Sequence, residues 1–260
     1  MKLCEKIAEQ MQSIYALRQE FVDAIEDGKK TKDFKPAHKI KDVYEGKYVK
    51  TVYKNIHPYI NLIFLAVTYL SREGKAHGKK QLSEALNKIE VKGEAVHVPY
   101  SLTVGNKTAD GPSDIMILPD DLVVDGDLDI WSYSIEKLPS KLKVKGDLNI
   151  SGTTITEIPK GIEIGGDCKM QKTNIHQLPL NFKIKGDLDI RSTQIAWLPK
   201  GLHVGGSVYA QATGIDTIVD IPDDVVIEGD LHVRNKFNNN EALELKNQGI
   251  VKGEVYNHYN

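Results

Sequence analysis

The sequence is poor in the residues and runs that mark several large classes of protein. It has 2 cysteines in 260 residues, Cys4 and Cys168. These are too few for a disulfide framework, and we expect reduced thiols in a cytoplasmic protein. The longest apolar run, residues 60–70, is about half the length that a helix needs to cross a bilayer. The first ten residues lack the apolar stretch of a secretory signal. These absences predict a soluble protein.

The common catalytic and metal-binding motifs are also missing. The sequence contains no nucleophile elbow, no phosphate-binding loop and no His-Glu-x-x-His, and its 8 histidines are scattered. We therefore predict a non-enzymatic protein with no catalytic residues, no metal site and no cofactor.

The net charge of −2 hides an asymmetry along the chain. Residues 1–98 carry 18 Lys and Arg against 13 Asp and Glu, a net of +5, whereas residues 99–260 carry 16 against 23, a net of −7. This difference predicts a domain boundary near residues 90–100.

A repeat of twenty residues dominates the second part of the sequence, with the pattern L-P-x-x-L-x-V-x-G-D-L-x-I-x-x-T-x-I-x-x. Six units begin at Leu118, Leu138, Ile158, Leu178, Leu198 and Ile221, and the sixth comes three residues late. Fainter copies, residues 91–98 and 251–256, flank the array. A fixed period of this length is typical of a solenoid, in which a unit that cannot bury its own apolar face stacks on its neighbours.

The recurring columns of the repeat have structural interpretations. Two apolar-polar alternations in each unit predict two short strands, and the Gly-Asp pair between them predicts a tight turn whose carboxylate accepts backbone N–H groups. The threonine column, residues 153, 173, 193 and 213, is expected to bond backbone groups at another turn. Calcium binding by the Asp column is disfavoured because the period differs from that of calcium-binding β-rolls. Cys168 occupies a leucine position and is interpreted as a core residue.

The segment L-x-I-x-x-T-x-I-x-x-L-P resembles the leucine-rich repeat, with Thr in place of Asn. The twenty-residue length and the Leu-Pro are similar to the short bacterial type found in secreted effectors, and the Gly-Asp resembles a variant in bacterial and phage proteins. The match covers residues 118–236. The resemblance implies protein binding, with a host-modulating or anti-defence role in a phage or bacterium. The Thr column and the second strand favour a straighter, mostly-β stack over a horseshoe.

The N-terminal part has the pattern of helices. Apolar residues at helical spacing predict helices over 2–26, 58–73 and 79–88. The fold class is therefore α+β, a small helical domain followed by a mostly-β solenoid. The predicted domains are a helical domain at 1–88, a capping segment and first coil at 89–117, the solenoid at 118–236 and a C-terminal cap at 237–260. The helical domain is either a cap or a separate partner-binding bundle.

The predicted binding site is a strip formed by the outward residues of the strand after each Gly-Asp. These positions vary in chemistry while the structural columns repeat, although any solvated face can vary. Trp, Tyr and Arg are favoured at interfaces. The candidate partner-binding residues are Trp131, Lys169, Arg191, Tyr209, His232 and Arg234.

Two further hypotheses remain open from the sequence. Residues 29–54 hold 9 lysines against 3 acids, which is typical either of a solvated face or of a site for phosphates. A nucleic-acid-associated regulator would bind through Lys41, Lys47, Lys50 and Lys54. The other hypothesis is a structural component of a larger, virion-like assembly.

Overall fold

The fold is described from a computed structural model. It covers residues 57–74, 78–103, 116–131, 135, 137–234 and 237–258, together with single positions and short stretches within residues 2–31.

Two sheets of eight short strands lie on either side of the core, and each repeat contributes one strand to each sheet. Sheet 1 contains β1 (Glu90–Lys92), β2 (Ala95–Val98), β4 (Asp121–Val124), β6 (Lys143–Val144), β8 (Glu163–Ile164), β10 (Lys183–Ile184), β12 (His203–Val204) and β14 (Val226–Ile227). Sheet 2 contains β3 (Leu102–Thr103), β5 (Leu128–Asp129), β7 (Leu148–Asn149), β9 (Cys168–Lys169), β11 (Leu188–Asp189), β13 (Val208–Tyr209), β15 (Leu231–Val233) and β16 (Val255–Asn257).

The coils stack in register, with each position above its equivalent one repeat away. Leu148 pairs with Cys168, Cys168 with Leu188, and Leu188 with Val208, all in parallel. These side chains are fully buried, and so is Leu231 further along the stack. Since successive parallel strands lie about 4.8 Å apart, the aliphatic columns form one continuous core. The structure thus confirms a mostly-β parallel solenoid of twenty-residue coils.

The Gly-Asp corner fastens each coil to the next through a side-chain ladder. The Asp147 Oδ1 accepts the backbone N–H of Asp167 at 2.8 Å, and the Asp167 Oδ1 accepts that of Asp187 at 2.9 Å. Serine replaces aspartate twice, since the hydroxyls of Ser101 and Ser207 accept the N–H of the following coil at 2.9 and 3.0 Å. The predicted role of the Asp column is therefore confirmed.

The threonine column closes the opposite corner in the way that the sequence predicts. The Thr153 hydroxyl donates to the Ile150 carbonyl at 2.7 Å, and the equivalent threonines of the next three coils do the same. The residue before each threonine has a positive φ, between 57° and 66°, at Gly152, Lys172, Ser192 and Ala212. Three of these four positions carry a side chain in the left-handed region, a requirement that the repeat pattern does not reveal.

The helices with described bounds are α1 (His57–Arg72), α2 (Gly78–Leu86), α3 (Asn239–Asn247) and a 3-10 helix (Ile218–Asp220). Of the predicted helix over 2–26, the described positions 3, 5–9, 12, 16, 19–20 and 23–24 are helical, and the others after position 2 lie outside the described residues. Helix α1 packs against β3, and the Asn61 side chain donates to the Ile117 carbonyl at 2.9 Å. This helix therefore covers the first coil, as a cap would. The 3-10 helix accounts for the three extra residues before the sixth unit.

The two faint copies of the repeat behave differently. At the C-terminal end Val251 bridges Ile227, and β16 pairs with β15 in parallel, so residues 251–256 form another rung. At the N-terminal end residues 91–98 form an antiparallel hairpin of β1 and β2. The corner of that coil lies after the hairpin, at Ser101, whose hydroxyl accepts the N–H of Asp127 as the aspartate carboxylates do in later coils. The alignment of residues 91–98 with the repeat is therefore wrong in position.

Gly186→Val should strongly destabilise the stack. A Cβ on Gly186 would lie 2.8 Å from both the Asp167 nitrogen and the Gly166 carbonyl carbon, so the coils would have to separate. We expect a loss of about 3 kcal/mol or more in the free energy of unfolding, measured by chemical denaturation. Lys183→Val, on an exposed position of the adjacent strand, is the control and should change it little. A Gly186→Val variant as stable as the control would refute the close approach at this corner.

Asp167→Ala and Asp167→Ser should show how much of the stabilisation by Asp167 comes from its hydrogen bond to the Asp187 N–H. Alanine leaves the Asp187 N–H without its acceptor, which costs about 1–2 kcal/mol. Serine already serves at positions 101 and 207, so Asp167→Ser should retain more than half of that stability in the same denaturation assay. Equal losses in the two variants would mean that the hydrogen bond is not what position 167 contributes.

Candidate binding surface

The outward face of sheet 2 presents two straight columns of side chains, which we call the first and second columns. The first column is Thr103, Asp129, Asn149, Lys169, Asp189, Tyr209, His232 and Tyr256. The second, two residues further along each coil, is Trp131, Ser151, Gln171, Arg191, Gln211, Arg234 and His258. Because the coils are in register, neighbours within a column are about 4.8 Å apart.

All six candidate partner-binding residues lie on this face. Lys169, Tyr209 and His232 belong to the first column, and Trp131, Arg191 and Arg234 to the second. Trp131 is 36 % exposed and Arg234 is exposed, so both are available to a partner.

Arg191 forms an ion pair with a neighbouring residue of the strip. Its Nε and one terminal nitrogen bond the two carboxylate oxygens of Asp189 at 2.9 and 2.6 Å. The sequence predicts that Asp189 points outward into water, but the residue is only 6 % exposed. The bidentate pair explains the difference, because the guanidinium covers the carboxylate and compensates for its burial. Arg191 is held rigidly and still presents part of its surface to solvent.

Lys169 faces the Asp ladder across the same edge of the strip. Its Nζ lies 3.4 Å from the nearest Asp167 oxygen and 3.9 Å from that of Asp147. The ammonium group thus lies between two carboxylates one coil apart and offsets their mutual repulsion.

The C-terminal third of the strip is an aromatic stack. The rings of Tyr209 and His232 lie 4.6 Å apart between centroids and 5° from parallel, and those of His232 and Tyr256 lie 4.9 Å apart and 11° from parallel. The Arg191 guanidinium carbon lies 5.7 Å from the centroid of Tyr209 and extends the stack by a cation-π contact. Four residues from four successive coils therefore form one rigid, partly exposed platform.

His232 also meets a second imidazole beside the stack. Its Nδ1 lies 2.9 Å from the Nε2 of His258, so one ring nitrogen donates its hydrogen to the other. Burial and then the facing His258 lower the pKa of His232; Asp230 and Asp187 oppose this, and Arg191 adds to it. The neutral imidazole is therefore favoured within the stack.

Sequence reasoning missed Tyr256 and His258, although the signal for them was present. The faint copy at 251–256 carries Tyr256 at the position of the first column, and His258 follows two residues later. Continuing the repeat pattern through that copy would have placed both residues on the strip.

None of the other candidate residues that the structure describes adds to this surface. Lys41, Lys47, Lys50 and Lys54 lie outside the described residues. Cys168 is buried in the core, and burial raises the pKa of its thiol, so it does not supply a thiolate at neutral pH. Within the described ranges no three His, Cys, Asp or Glu side chains are grouped to hold a metal ion. The helices of those ranges are too short or too polar to span a bilayer.

The fold and this surface together define a parallel β-solenoid with a continuous, two-column outer face. No protein-family model matches the chain, and a search of curated proteins finds no significant match. The resemblance to leucine-rich repeats therefore stands on the repeat motif. In contrast with the strand plus helix or 3-10 segment of those repeats, each of the six units here places a second strand in sheet 1.

Acidification should destabilise the C-terminal third of the strip through His232. Its lowered pKa means that the folded chain binds a proton less tightly than the unfolded chain, so stability is lost as the pH falls through about 6.5, the ordinary imidazole value. His232→Phe keeps a flat ring in the stack and removes this proton. The decrease in melting temperature between about pH 8 and about pH 5 should be smaller in this variant than in the wild type. His203→Phe, on sheet 1, controls for the loss of an imidazole, and an equal decrease in all three proteins would contradict the prediction.

Proposed function

We propose that this protein is a non-enzymatic binding module that recognises another protein through the outer face of sheet 2. The aromatic stack formed by Tyr209, His232 and Tyr256 with Arg191 carries the proposal. Aromatic and arginine side chains dominate the energy of protein interfaces, and here they are ordered before binding. A partner would therefore lose little of its binding energy to the immobilisation of these side chains.

The shape of the surface also favours a macromolecular partner. The two columns run past eight strands, a length of about 35 Å at the spacing of parallel strands. A flat face of that length suits another protein better than a small molecule, which would need a concave site. The chemistry along the first column is uneven, with Asp129 and Asn149 towards one end and aromatic rings at the other, so that a partner can be bound in one register.

The resemblance of the repeat to bacterial and phage leucine-rich repeats supports the same class of function by analogy. On that analogy the partner is a host protein, and the protein acts as a host-modulating or anti-defence factor in the cytoplasm. The host-modulating role depends on the repeat motif, whereas the binding surface follows from the geometry of sheet 2.

Trp131→Ala combined with Arg234→Glu should weaken partner capture. Both side chains are exposed, and neither forms part of the Asp189–Arg191 pair or of the aromatic stack, so the fold should persist. Arg191→Glu is a poorer probe, because it would leave the buried Asp189 carboxylate unpaired. We expect the captured partner to decrease by about tenfold or more, measured by affinity capture from cells that express the protein, followed by mass spectrometry.

Lys88→Glu, at the helical end of the chain, makes the same change in net charge as Arg234→Glu and is the control, which should leave that capture unchanged. Circular dichroism and melting temperature should match the wild type in both variants. Undiminished capture by the sheet 2 variant would show that the strip is ordinary solvated surface.

A further inference from the structure

A groove on the opposite face of the solenoid has a different chemistry. It lies over β6, β8 and β10 of sheet 1 and has a volume of about 760 Å³. Its floor contains Gly161 and Gly165, which have no side chains. A Cβ at Gly165 would collide with the Lys145 carbonyl, so the close approach of the two coils keeps this part of the floor open.

Four lysines stand at the corners of the groove in a regular array. Lys143 and Lys145 are two residues apart on one coil, and Lys183 and Lys185 are their equivalents two coils away. Residues two apart on a strand are about 6.6 Å apart, and strands two apart are separated by about 9.6 Å. The lysines thus mark a rectangle of about those dimensions, with Glu163 on its midline.

The lysines on the two sides of the rectangle differ in whether they form ion pairs. The Lys143 Nζ lies 2.6 Å from a Glu163 oxygen, and the Lys145 Nζ lies 2.6 Å from an Asp125 oxygen. Hydrogen bonds from Lys145 and His97 lower the pKa of Asp125 below its ordinary value. The Lys145 ammonium is therefore engaged by a carboxylate outside the groove. Lys183 and Lys185 are exposed, and neither ammonium has an ion-pair partner among the described residues. The part of the chain that contains these four lysines is acidic overall, with a net charge of −7 over residues 99–260.

The remaining lining residues distinguish between two classes of anionic ligand, nucleic acids and acidic peptides. Leu180 lies at the groove and is 65 % exposed, beside Pro179. The one aromatic ring among the lining residues, Phe182, is 4 % exposed and cannot stack on a nucleobase. An exposed leucine beside two unpaired ammonium groups suits an extended peptide in which two acidic residues and an apolar residue occupy successive alternate positions and so share one face. In an extended peptide, side chains two residues apart project from the same face, at the spacing of Lys183 and Lys185.

We propose that this groove binds an extended acidic segment of a partner protein, with two carboxylates at alternate positions against Lys183 and Lys185 and an apolar side chain against Leu180. The site lies on the opposite sheet from the strip of the proposed function and does not depend on it. Glu163 weakens the site, because its carboxylate occupies the middle of the array and engages Lys143.

The test uses a display library of random peptides selected on the full chain, with binding of the enriched peptides measured by fluorescence anisotropy. We expect enriched peptides to carry acidic residues at alternate positions, with an apolar residue at the next alternate position. Lys183→Glu with Lys185→Glu should weaken them by about tenfold or more. Glu163→Gln should strengthen them by about two- to fivefold, since it removes a competing exposed ion pair. Higher salt should weaken binding to the wild type.

Two control variants show whether peptide binding is specific to this groove. Lys80→Glu with Lys88→Glu makes the same change in net charge at the helical end of the chain and should leave peptide affinity unchanged. Trp131→Ala with Arg234→Glu should also leave it unchanged, so failure of the proposed function and failure of this site give different results.

Three results would overturn the proposal. The enriched peptides could lack acidic residues, or they could bind the Lys183→Glu, Lys185→Glu variant as well as they bind the wild type. An oligodeoxythymidine that bound more tightly than the best peptide, and lost affinity in that variant, would assign the groove to nucleic acid instead.

Discussion

The close approach of consecutive coils at the Gly-Asp corner is the constraint on which the rest of the structure depends. A backbone that passes within van der Waals distance of the previous coil leaves no room for a Cβ at Gly146, Gly166 or Gly186. The same approach brings each backbone N–H within hydrogen-bonding distance of the carboxylate one coil earlier. The corner therefore fixes both the separation and the register of the coils, and the aliphatic columns inside are aligned as a result.

Two opposing forces act on the Asp ladder at this corner. Carboxylates in successive coils stand about 4.8 Å apart, and like charges facing one another across strands are destabilising. Near a protein surface two unit charges at this separation repel by about 3–4 kcal/mol, and a hydrogen bond to a charged group contributes about 1.5–3 kcal/mol. The two are of similar size, so the ladder also depends on groups that reduce the repulsion, as Lys169 does where it lies between Asp147 and Asp167. Serine at 101 and 207 keeps the bond without the charge.

The repeat was sufficient to predict the stack, the buried columns and the two corners, because each of these depends on a residue type that recurs at a fixed spacing. Features that depend on a single coil were harder to predict. Asp189 is buried only because Arg191 follows it two residues later, and the alternating outward pattern of a strand gives no sign of such a pair. Tyr256 and His258 belong to a coil whose match to the repeat ends after six residues. The groove on sheet 1 is lined in part by Gly161 and Gly165, and it becomes visible only when the neighbouring lysines are placed in register.

In-register stacking also explains how one simple repeat can produce two faces of different character. The core and corner positions are fixed, so the outward positions of the two sheets can vary independently of each other and of the fold. On sheet 2, flat rings in adjacent coils stack at 4.6–4.9 Å, close to the strand separation, so that aromatic residues stabilise one another there. On sheet 1, the same separation disfavours adjacent like charges, and Lys143 and Lys183 are separated by Glu163 as Lys145 and Lys185 are by Gly165. The strand separation that favours a continuous aromatic platform on one face therefore favours spaced cationic groups on the other. A partner protein that contacted both faces would meet two surfaces of unlike chemistry, each held rigid by the same corners.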